Sequence, residues 1–195
     1  LRDAADTDAL TGLGNRRKLD DVLQRLLHAD RRQRLPFSLL MLDLDYFKAY
    51  NDDFGHQAGD DALREIGRLL RATLRPEDAA FRYGGEEFVL VIHGAHLYQL
   101  PAIAERVLHA ARANDWPLRP LTISIGGAEA CDADVAAASL LQRADAALYR
   151  AKHNGRDRFE VTGCAECLAG GSEPDSTRAH SWDQPPPGCR AASQG

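Results

Sequence analysis

The order in which strand-like and helical segments alternate most restricts how this chain can fold. Between residues 37 and 125, a strand is followed by helices, two strands joined by a Gly-Gly turn, a helix and another strand. This order is the split-βαβ pattern of ferredoxin-like domains. The sequence therefore predicts an α/β (α+β) fold with a ferredoxin-like or palm-type βαββαβ core sheet flanked by helices.

Apolar periodicity and turn residues place the individual segments. Apolar residues at helical spacing predict helices over 19–27, 63–74, 100–111 and 140–151, with a short polar helix or turn over 46–53. Apolar runs predict strands over 37–42, 81–83, 88–92, 121–125 and 158–161.

The predicted topology brings two distant segments together. A right-handed crossover makes the first and second strands parallel, and the third strand then runs between them in the opposite direction. The turn at 84–87 therefore lies beside the end of the first strand, where Asp43 stands. We expect carboxylates from both segments at one edge of the sheet.

Composition and charge exclude several classes of function. A net charge of −5 argues against a nucleic-acid polymer as partner. Without a bilayer-length apolar run or a signal peptide, no membrane contact is expected within this sequence. Three of the four cysteines lie late in the chain, which favours a reducing cytoplasm over a disulfide framework. The lone CxxC at Cys164 and Cys167 has no partner motif and indicates no metal site.

The chain is long enough for one domain, which we place at 6–162. Residues 1–5 are interpreted as the end of an upstream signalling helix, so the domain could be the cytoplasmic part of a larger sensor protein. Residues 163–195 are rich in Gly, Ser, Pro and Ala and predict a disordered tail or a linker.

The carboxylates near the predicted sheet edge are suited to binding Mg²⁺. Asp43 and Asp45 follow an apolar strand, and Glu86 and Glu87 occupy the turn. Oxygen ligands of this kind hold Mg²⁺ together with substrate phosphates, and such ions promote phosphoryl chemistry. Each pair alone would be explained as a strand end or an exposed turn, whereas the two pairs together favour a metal site.

Neighbouring residues offer contacts for a nucleotide. Gly84 and Gly85 could serve only the geometry of a hairpin turn, but glycines also let a backbone approach a ligand closely. Lys48 lies one turn beyond the strand, where a cation and helix N–H groups can hold phosphates. Asn51 and Asp60 could read a guanine edge, although Asp60 could equally cap the following helix.

Five segments resemble those of the GGDEF domains of diguanylate cyclases, in order and over residues 6–161. They are residues 8–17 (DALTGLGNRR), 43–48 (DLDYFK), 51–60 (NDDFGHQAGD), 82–88 (RYGGEEF, the GGEEF form of the signature) and 144–156 (ADAALYRAKHNGR). Gly127 departs from the family, which commonly has an aliphatic or β-branched residue there, and is expected to loosen a strand end without touching a proposed ligand.

The resemblance implies a fold similar to that of nucleotidyl cyclase catalytic domains and the condensation of two GTP molecules into cyclic di-GMP and pyrophosphate. Mg²⁺, for which Mn²⁺ can substitute, would be held by Asp43, the Leu44 carbonyl, Glu86 and Glu87. Glu86 would also help to deprotonate the attacking 3′-hydroxyl, and Lys48 would stabilise developing charge, while Asp45 supports the loop. GTP contacts would come from Phe47, Lys48, Asn51, Asp60, Gly84, Gly85, Lys152 and Arg156. Lys152 and Arg156 could otherwise be solvated cations at a helix C-terminus.

The resemblance also implies a product-binding inhibitory site at Arg75 and Asp78, an RxxD pair, with Arg106 as a secondary arginine. Arginine suits bidentate phosphate contacts and stacking on bases. The alternative is a turn in which Pro76 ends the preceding helix and the charges are solvated.

One nucleotide site per chain implies a homodimer, which we expect to be transient. The main alternative is a GGDEF-like module that has lost catalysis and senses GTP or cyclic di-GMP. An enzyme that makes a 3′,5′-cyclic mononucleotide is disfavoured by the GGEEF turn and by Arg75 and Asp78.

Overall fold

The structure, a computed structural model, describes residues 6–29, 35–131, 134 and 136–163. The predicted signalling helix at 1–5, the tail beyond Gly163 and the CxxC lie outside the described residues. None of the described helices is both long enough and apolar enough to cross a bilayer.

The described elements follow the predicted order. The helices are α1 (Arg16–His28), α2 (Phe47–Phe54), α3 (His56–Thr73), α4 (Leu100–Arg112) and α5 (Ala137–His153), with a 3₁₀ turn at Leu97–Gln99. The strands are β1 (Phe37–Leu44), β2 (Ala79–Gly84), β3 (Glu87–His93), β4 (Ile123–Glu129) and β5 (Phe159–Thr162).

The five strands form one sheet in the order β2-β3-β1-β4-β5. β3 is antiparallel to both β1 and β2, and β1 is also antiparallel to β4, whereas β5 runs parallel to β4. The predicted position of the third strand between the first two is therefore confirmed. The register pairs Asp43 directly with Glu87, so carboxylates from β1 and β3 meet at one edge of the sheet.

The central strand is buried on both faces, and its side chains divide the core into two layers. Leu40, Leu42 and Leu44 pack in a cluster with residues of α3 and α4, whereas Leu39 and Met41 pack in a cluster with residues of α1 and α5. Fully burying one such side chain contributes about 1.5–3 kcal/mol. This two-sided packing fixes β1, and therefore the position of Asp43, between helices on both faces.

Two glycines in β4 allow close packing on both sides of the strand. A Cβ atom on Gly126 would lie 2.1 Å from the Leu148 nitrogen, because α5 packs directly on the strand backbone. A Cβ atom on Gly127 would lie 2.9 Å from Leu40 Cδ2. Gly127 pairs with Leu40 on β1 and Val161 on β5, so it lies within the strand and not at a loosened end.

Candidate active site at the sheet edge

The signature turn is open to a ligand. Gly85 and Glu86 form the two-residue connection between β2 and β3, and Gly85 has a φ of 53°, a conformation that glycine adopts without steric cost. Apart from the glycines themselves and their chain neighbours, no atom of the described residues lies within 4 Å of the position that a Cβ would take on Gly84 or Gly85. A ligand can therefore approach this backbone closely.

Negative charge accumulates beside the turn. Asp43 is only 8% exposed, and its Oδ2 lies 2.8 Å from Lys152 Nζ. Burial raises the pKa of Asp43 more than the Lys152 ammonium lowers it. Burial and the charge of Asp43 also raise the pKa of Glu87. The site thus holds partly buried carboxylates that additional positive charge would stabilise.

The donors fit a hard divalent cation that is shared with a ligand. Asp43, the Leu44 carbonyl and Glu86 offer only oxygen atoms, and Leu44 N donates to Glu86 O at 3.4 Å across the strand pair. Within the described part of the chain, no three His, Cys, Asp or Glu residues are grouped to hold a metal by themselves. This arrangement suits Mg²⁺, which takes one or two carboxylates and completes its shell with phosphates and water.

Asp45 has a different role from Asp43, although only Leu44 separates them. Its side chain accepts hydrogen bonds from Ser124 Oγ at 2.7 Å, Thr122 Oγ1 at 2.7 Å and the Asp157 backbone N–H at 3.0 Å. The residue is 3% exposed. Asp45 therefore fixes the loop before β5, which agrees with the supporting role inferred from the sequence.

Two of the predicted phosphate-binding cations, Lys152 and Arg156, lie at the same edge on α5 and on the loop that follows it. Lys152 contacts Asp43. The guanidinium carbon of Arg156 lies 4.5 Å from the ring centroid of Tyr46, which directly follows Asp45. Lys48 is exposed on the first turn of α2. Lys152 and Arg156 are therefore not merely solvated ends of a helix.

The predicted guanine-reading residues lie on adjacent helices. The Asn51 side chain packs against Gly59, because a Cβ there would lie 1.9 Å from Asn51 Oδ1. That oxygen is buried and has no hydrogen-bond partner among the residues described, so its capacity to accept a hydrogen bond is unused. Asp60 follows Gly59 in the second turn of α3. Because α3 begins at His56 with Gly55 as its N-cap, Asp60 does not cap the helix.

The proposed inhibitory residues lie at the other end of β2. From Ala79 to Gly84 the strand spans about 17 Å, so Arg75 and Asp78 are remote from the signature turn. The Asp78 carboxylate accepts hydrogen bonds from the His93 and Arg75 backbone N–H groups at 3.1 and 3.4 Å. Asp78 is therefore not a solvated charge, because it also fixes the turn.

The structure brings Arg106 of α4 close to the predicted inhibitory pair. Burial lowers the pKa of Arg106, while the charge of Asp78 raises it. Arg75 is only 18% exposed in its side chain, and burial lowers its pKa as well, with the charge of Arg106 acting in the same direction. The three side chains are therefore near enough to one another to interact electrostatically.

Arg82 is a functional candidate to which the sequence assigned no role. Its Nε and Nη2 donate to the Gly85 carbonyl at 2.9 and 2.8 Å, and its Nη1 lies 3.3 Å from Asp8 Oδ2. Asp8 also accepts hydrogen bonds from the Thr11 N–H and hydroxyl groups. Burial opposes the charge of Asp8, but these hydrogen bonds and Arg82 outweigh it and lower its pKa. Arg82 thus ties the signature turn to the start of the domain.

Comparison with known proteins gives a consistent family match. The family model described as "Diguanylate cyclase, GGDEF domain" matches residues 5–158. Diguanylate cyclase DgcS from Shewanella oneidensis is 37% identical over 156 residues, which cover 80% of this chain and 52% of DgcS. The chain thus spans about half of DgcS and smaller shares of the next two curated relatives.

Solved structures show the same fold. The coiled coil and GGDEF domain of DgcB from Caulobacter crescentus in complex with c-di-GMP superimposes with a TM-score of 0.74 at 33% identity, covering 84% of this chain and 87% of that one. The active GGEEF domain of a diguanylate cyclase from Vibrio cholerae gives a TM-score of 0.72 at 31% identity, covering 76% and 97%.

Proposed function

Because the chain belongs to the diguanylate cyclase GGDEF-domain family, we propose that it condenses two GTP molecules into cyclic di-GMP in the cytoplasm, with release of two pyrophosphates. The pairing of Asp43 with Glu87 beside an open signature turn is the observation that carries this proposal. Acidic oxygens and the Lys152 ammonium lie together at this edge, where a nucleoside triphosphate with a metal ion can enter.

The catalytic residues act on the reacting atoms as follows. In each step, the 3′-oxygen of one GTP forms a bond to the α-phosphorus of the other, and the bond from that phosphorus to the β-phosphate oxygen breaks. The hydroxyl proton passes to the Glu86 carboxylate, and pyrophosphate leaves. Asp43, the Leu44 carbonyl, Glu86 and Glu87 would hold Mg²⁺ or Mn²⁺. When bound, this ion would supply positive charge that activates the attacking hydroxyl and stabilises the leaving oxygen.

The remaining contacts orient the substrate. Lys48, Lys152 and Arg156 bind the phosphates, and Lys48 also stabilises the charge that develops on them during the reaction. The Lys152–Asp43 ion pair rearranges when phosphate oxygens compete for the ammonium. Asn51 and Asp60 bind the guanine, and the unpaired Asn51 oxygen supports this assignment. Phe47 packs beneath that site, since its Cζ would lie 3.1 Å from a Cβ on Gly59. Gly84 and Gly85 let the nucleotide lie against the turn.

Two chains are needed to complete the reaction. Each chain has one signature turn and one Asp43, and therefore one GTP site. A two-fold axis, the commonest oligomer symmetry, would face two GTP-loaded sites toward each other. We propose a transient homodimer, whose activity per chain rises with protein concentration.

Arg75, Asp78 and Arg106 are proposed to bind the product and to inhibit the enzyme. The guanidinium groups of two arginines can pair with phosphates and stack on guanine bases. The DgcB structure with c-di-GMP supports product binding by this fold in general.

Incubation with GTP and Mg²⁺, followed by mass spectrometry for cyclic di-GMP and pyrophosphate, tests the activity. Glu86→Gln preserves the volume of the side chain and removes its charge, so it should lower activity by at least ~10²-fold, as expected for a positioned base. Circular dichroism serves as the control for folding. Near-normal activity of Glu86→Gln would disprove the proposed site. A wild-type protein that binds GTP without converting it would instead favour the sensor module.

A further inference from the structure

Tyr46 has a backbone conformation that its side chain disfavours. It connects β1 to α2 with φ 57° and ψ 28°, in the left-handed region. An L-residue pays a steric penalty there, so glycine or asparagine is the usual choice. The Tyr46 side chain is 65% exposed, and within the described structure it makes no capping hydrogen bond to α2. Neither core packing nor helix capping explains a tyrosine at this position.

The contact of Tyr46 with Arg156 offers an explanation. The Arg156 guanidinium lies over the tyrosine ring at 4.5 Å from its centroid, and Arg156 Nη1 lies 3.4 Å from the tyrosine hydroxyl. Arg156 itself has a φ of 61°, and the next residue, Asp157, has a φ of 47°. Strained residues that are held in place by their surroundings are concentrated at functional sites. Here two strained segments, far apart in the sequence, are in contact through this pair of side chains.

The backbone on both sides of the pair is anchored. The Asp157 N–H donates to Asp45 Oδ2 at 3.0 Å, and the Arg156 N–H donates to the Ala151 carbonyl at 3.0 Å. Asp45 is the residue before Tyr46, and Asp157 is the residue after Arg156. One buried carboxylate therefore joins the backbone beside the ring to the backbone beside the guanidinium. The relative position of ring and guanidinium is therefore set by the fold.

We infer that Tyr46 is a positioning residue for Arg156, which it holds in readiness for the terminal phosphates of GTP; the inference rests on the proposed function. Stacking uses the face of the guanidinium and leaves N–H groups at its edge for phosphate oxygens. A guanidinium that is already oriented loses less conformational freedom when the phosphates bind. Tyr46 therefore contributes to affinity for the triphosphate without touching the reacting atoms.

The effect of replacing Tyr46 on stability distinguishes a positioning role from a purely structural one. Glycine relieves the left-handed strain, and the exposed ring buries little apolar surface, so Tyr46→Gly should leave the melting temperature unchanged or higher. The same substitution should weaken the binding of a guanosine triphosphate. A residue needed only for folding would instead lower the melting temperature when replaced.

The test measures binding of 3′-deoxy-GTP with Mg²⁺ by isothermal titration calorimetry, because this analogue lacks the attacking hydroxyl. Tyr46→Gly should weaken its affinity about 3- to 10-fold, the range expected for a partly exposed cation–π contact. Tyr46→Phe keeps the ring and should restore most of the affinity. 3′-Deoxy-GMP, measured by competition, lacks the terminal phosphates and should bind equally well to wild type and Tyr46→Gly.

A double variant completes the test. If Tyr46 acts through Arg156, Tyr46→Gly should have no further effect in an Arg156→Ala background. Unchanged affinity of Tyr46→Gly for 3′-deoxy-GTP, equal weakening for 3′-deoxy-GMP, or additive effects in the double variant would each overturn the inference while leaving the proposed function intact. Absence of 3′-deoxy-GTP binding by the wild type would overturn both.

Discussion

Alanine at position 59 would place a methyl group where the Asn51 side chain now lies. The new Cβ would stand 1.9 Å from Asn51 Oδ1 and 2.9 Å from its Cγ, closer than real Cβ contacts come. Both atoms belong to a side chain that can rotate away, so α3 keeps its backbone and Asn51 moves. Gly59→Ala should therefore impair guanine recognition without unfolding the domain.

The two expected effects have opposite directions. Alanine in place of glycine inside a helix contributes up to about 1 kcal/mol to helix stability. The displaced Asn51 Oδ1 has no partner in the described structure, so its movement sacrifices no hydrogen bond there. Loss of one amide hydrogen bond to the base costs about 0.5–1.5 kcal/mol, or roughly a 2- to 12-fold rise in KM for GTP.

Steady-state kinetics and thermal unfolding measure both effects. In an Asn51→Ala background, Gly59→Ala should raise KM no further, because the side chain it displaces is already gone. Gly67→Ala is a matched contrast in the same helix: its Cβ would lie 2.8 Å from the Thr11 backbone oxygen, which cannot rotate away, so this variant should lose stability. An unchanged KM in Gly59→Ala, or a further rise in the Asn51→Ala background, would show that displacement of Asn51 does not control guanine recognition.

Three other variants test the turn, the charge at the site and the inhibitory residues. Arg82→Ala removes both hydrogen bonds to the Gly85 carbonyl and should lower kcat at least ~10-fold, while the circular dichroism spectrum stays native. Arg82→Lys should not restore kcat, because lysine lacks the planar fork of arginine N–H groups. Burial and Asp43 raise the pKa of Glu87 in the folded protein, so its contribution to stability is present below the unfolded pKa and is lost as pH rises through the folded pKa. Glu87→Gln should therefore raise the urea midpoint at pH 8, by an amount that shrinks toward pH 4.5, and an equal shift at both pH values would contradict this explanation. Arg75→Ala should preserve the initial rate and abolish inhibition by added cyclic di-GMP, and an unchanged inhibition curve would assign Arg75 to the turn alone.

The sheet could be predicted largely because apolar runs and the hairpin turn restrict strand order. The predicted end of the fourth strand at residue 125 was too early, since β4 continues to Glu129. Gly126 and Gly127 have the appearance of a strand end in the sequence. They belong to the strand because α5 packs against its backbone and because β1 and β5 pair with it on either side. Close packing of a helix against a strand backbone produces no local periodicity of apolar residues, so the continuation of β4 could not be predicted from the sequence.

The residues that support the site were harder to predict than those proposed to contact the substrate. Arg82 and Asp8 are 74 residues apart in the chain, and their ion pair depends on the packing of the turn before α1 against β2. Likewise, Asp78 accepts a hydrogen bond from the His93 N–H, which only the β2–β3 pairing brings near. Both carboxylates belong to recognisable motifs, but a motif does not show which backbone group its side chain will reach.

Asp43 and Asp45 belong to one segment but differ in what their carboxylates do: Asp45 stabilises the fold, and Asp43 is proposed to bind the metal ion. The Asp45 carboxylate accepts three hydrogen bonds from neighbouring segments, and these anchor the loop that carries Arg156. Asp43 has a raised pKa despite its contact with Lys152, so its charge is incompletely compensated by the protein. A bound cation would complete that compensation, and anything that binds only the folded state stabilises it. We therefore expect the incompletely compensated charge of Asp43 to destabilise the free domain and to strengthen the proposed binding of a metal–nucleotide complex. Removing Asp43 should relieve the destabilisation and abolish this binding.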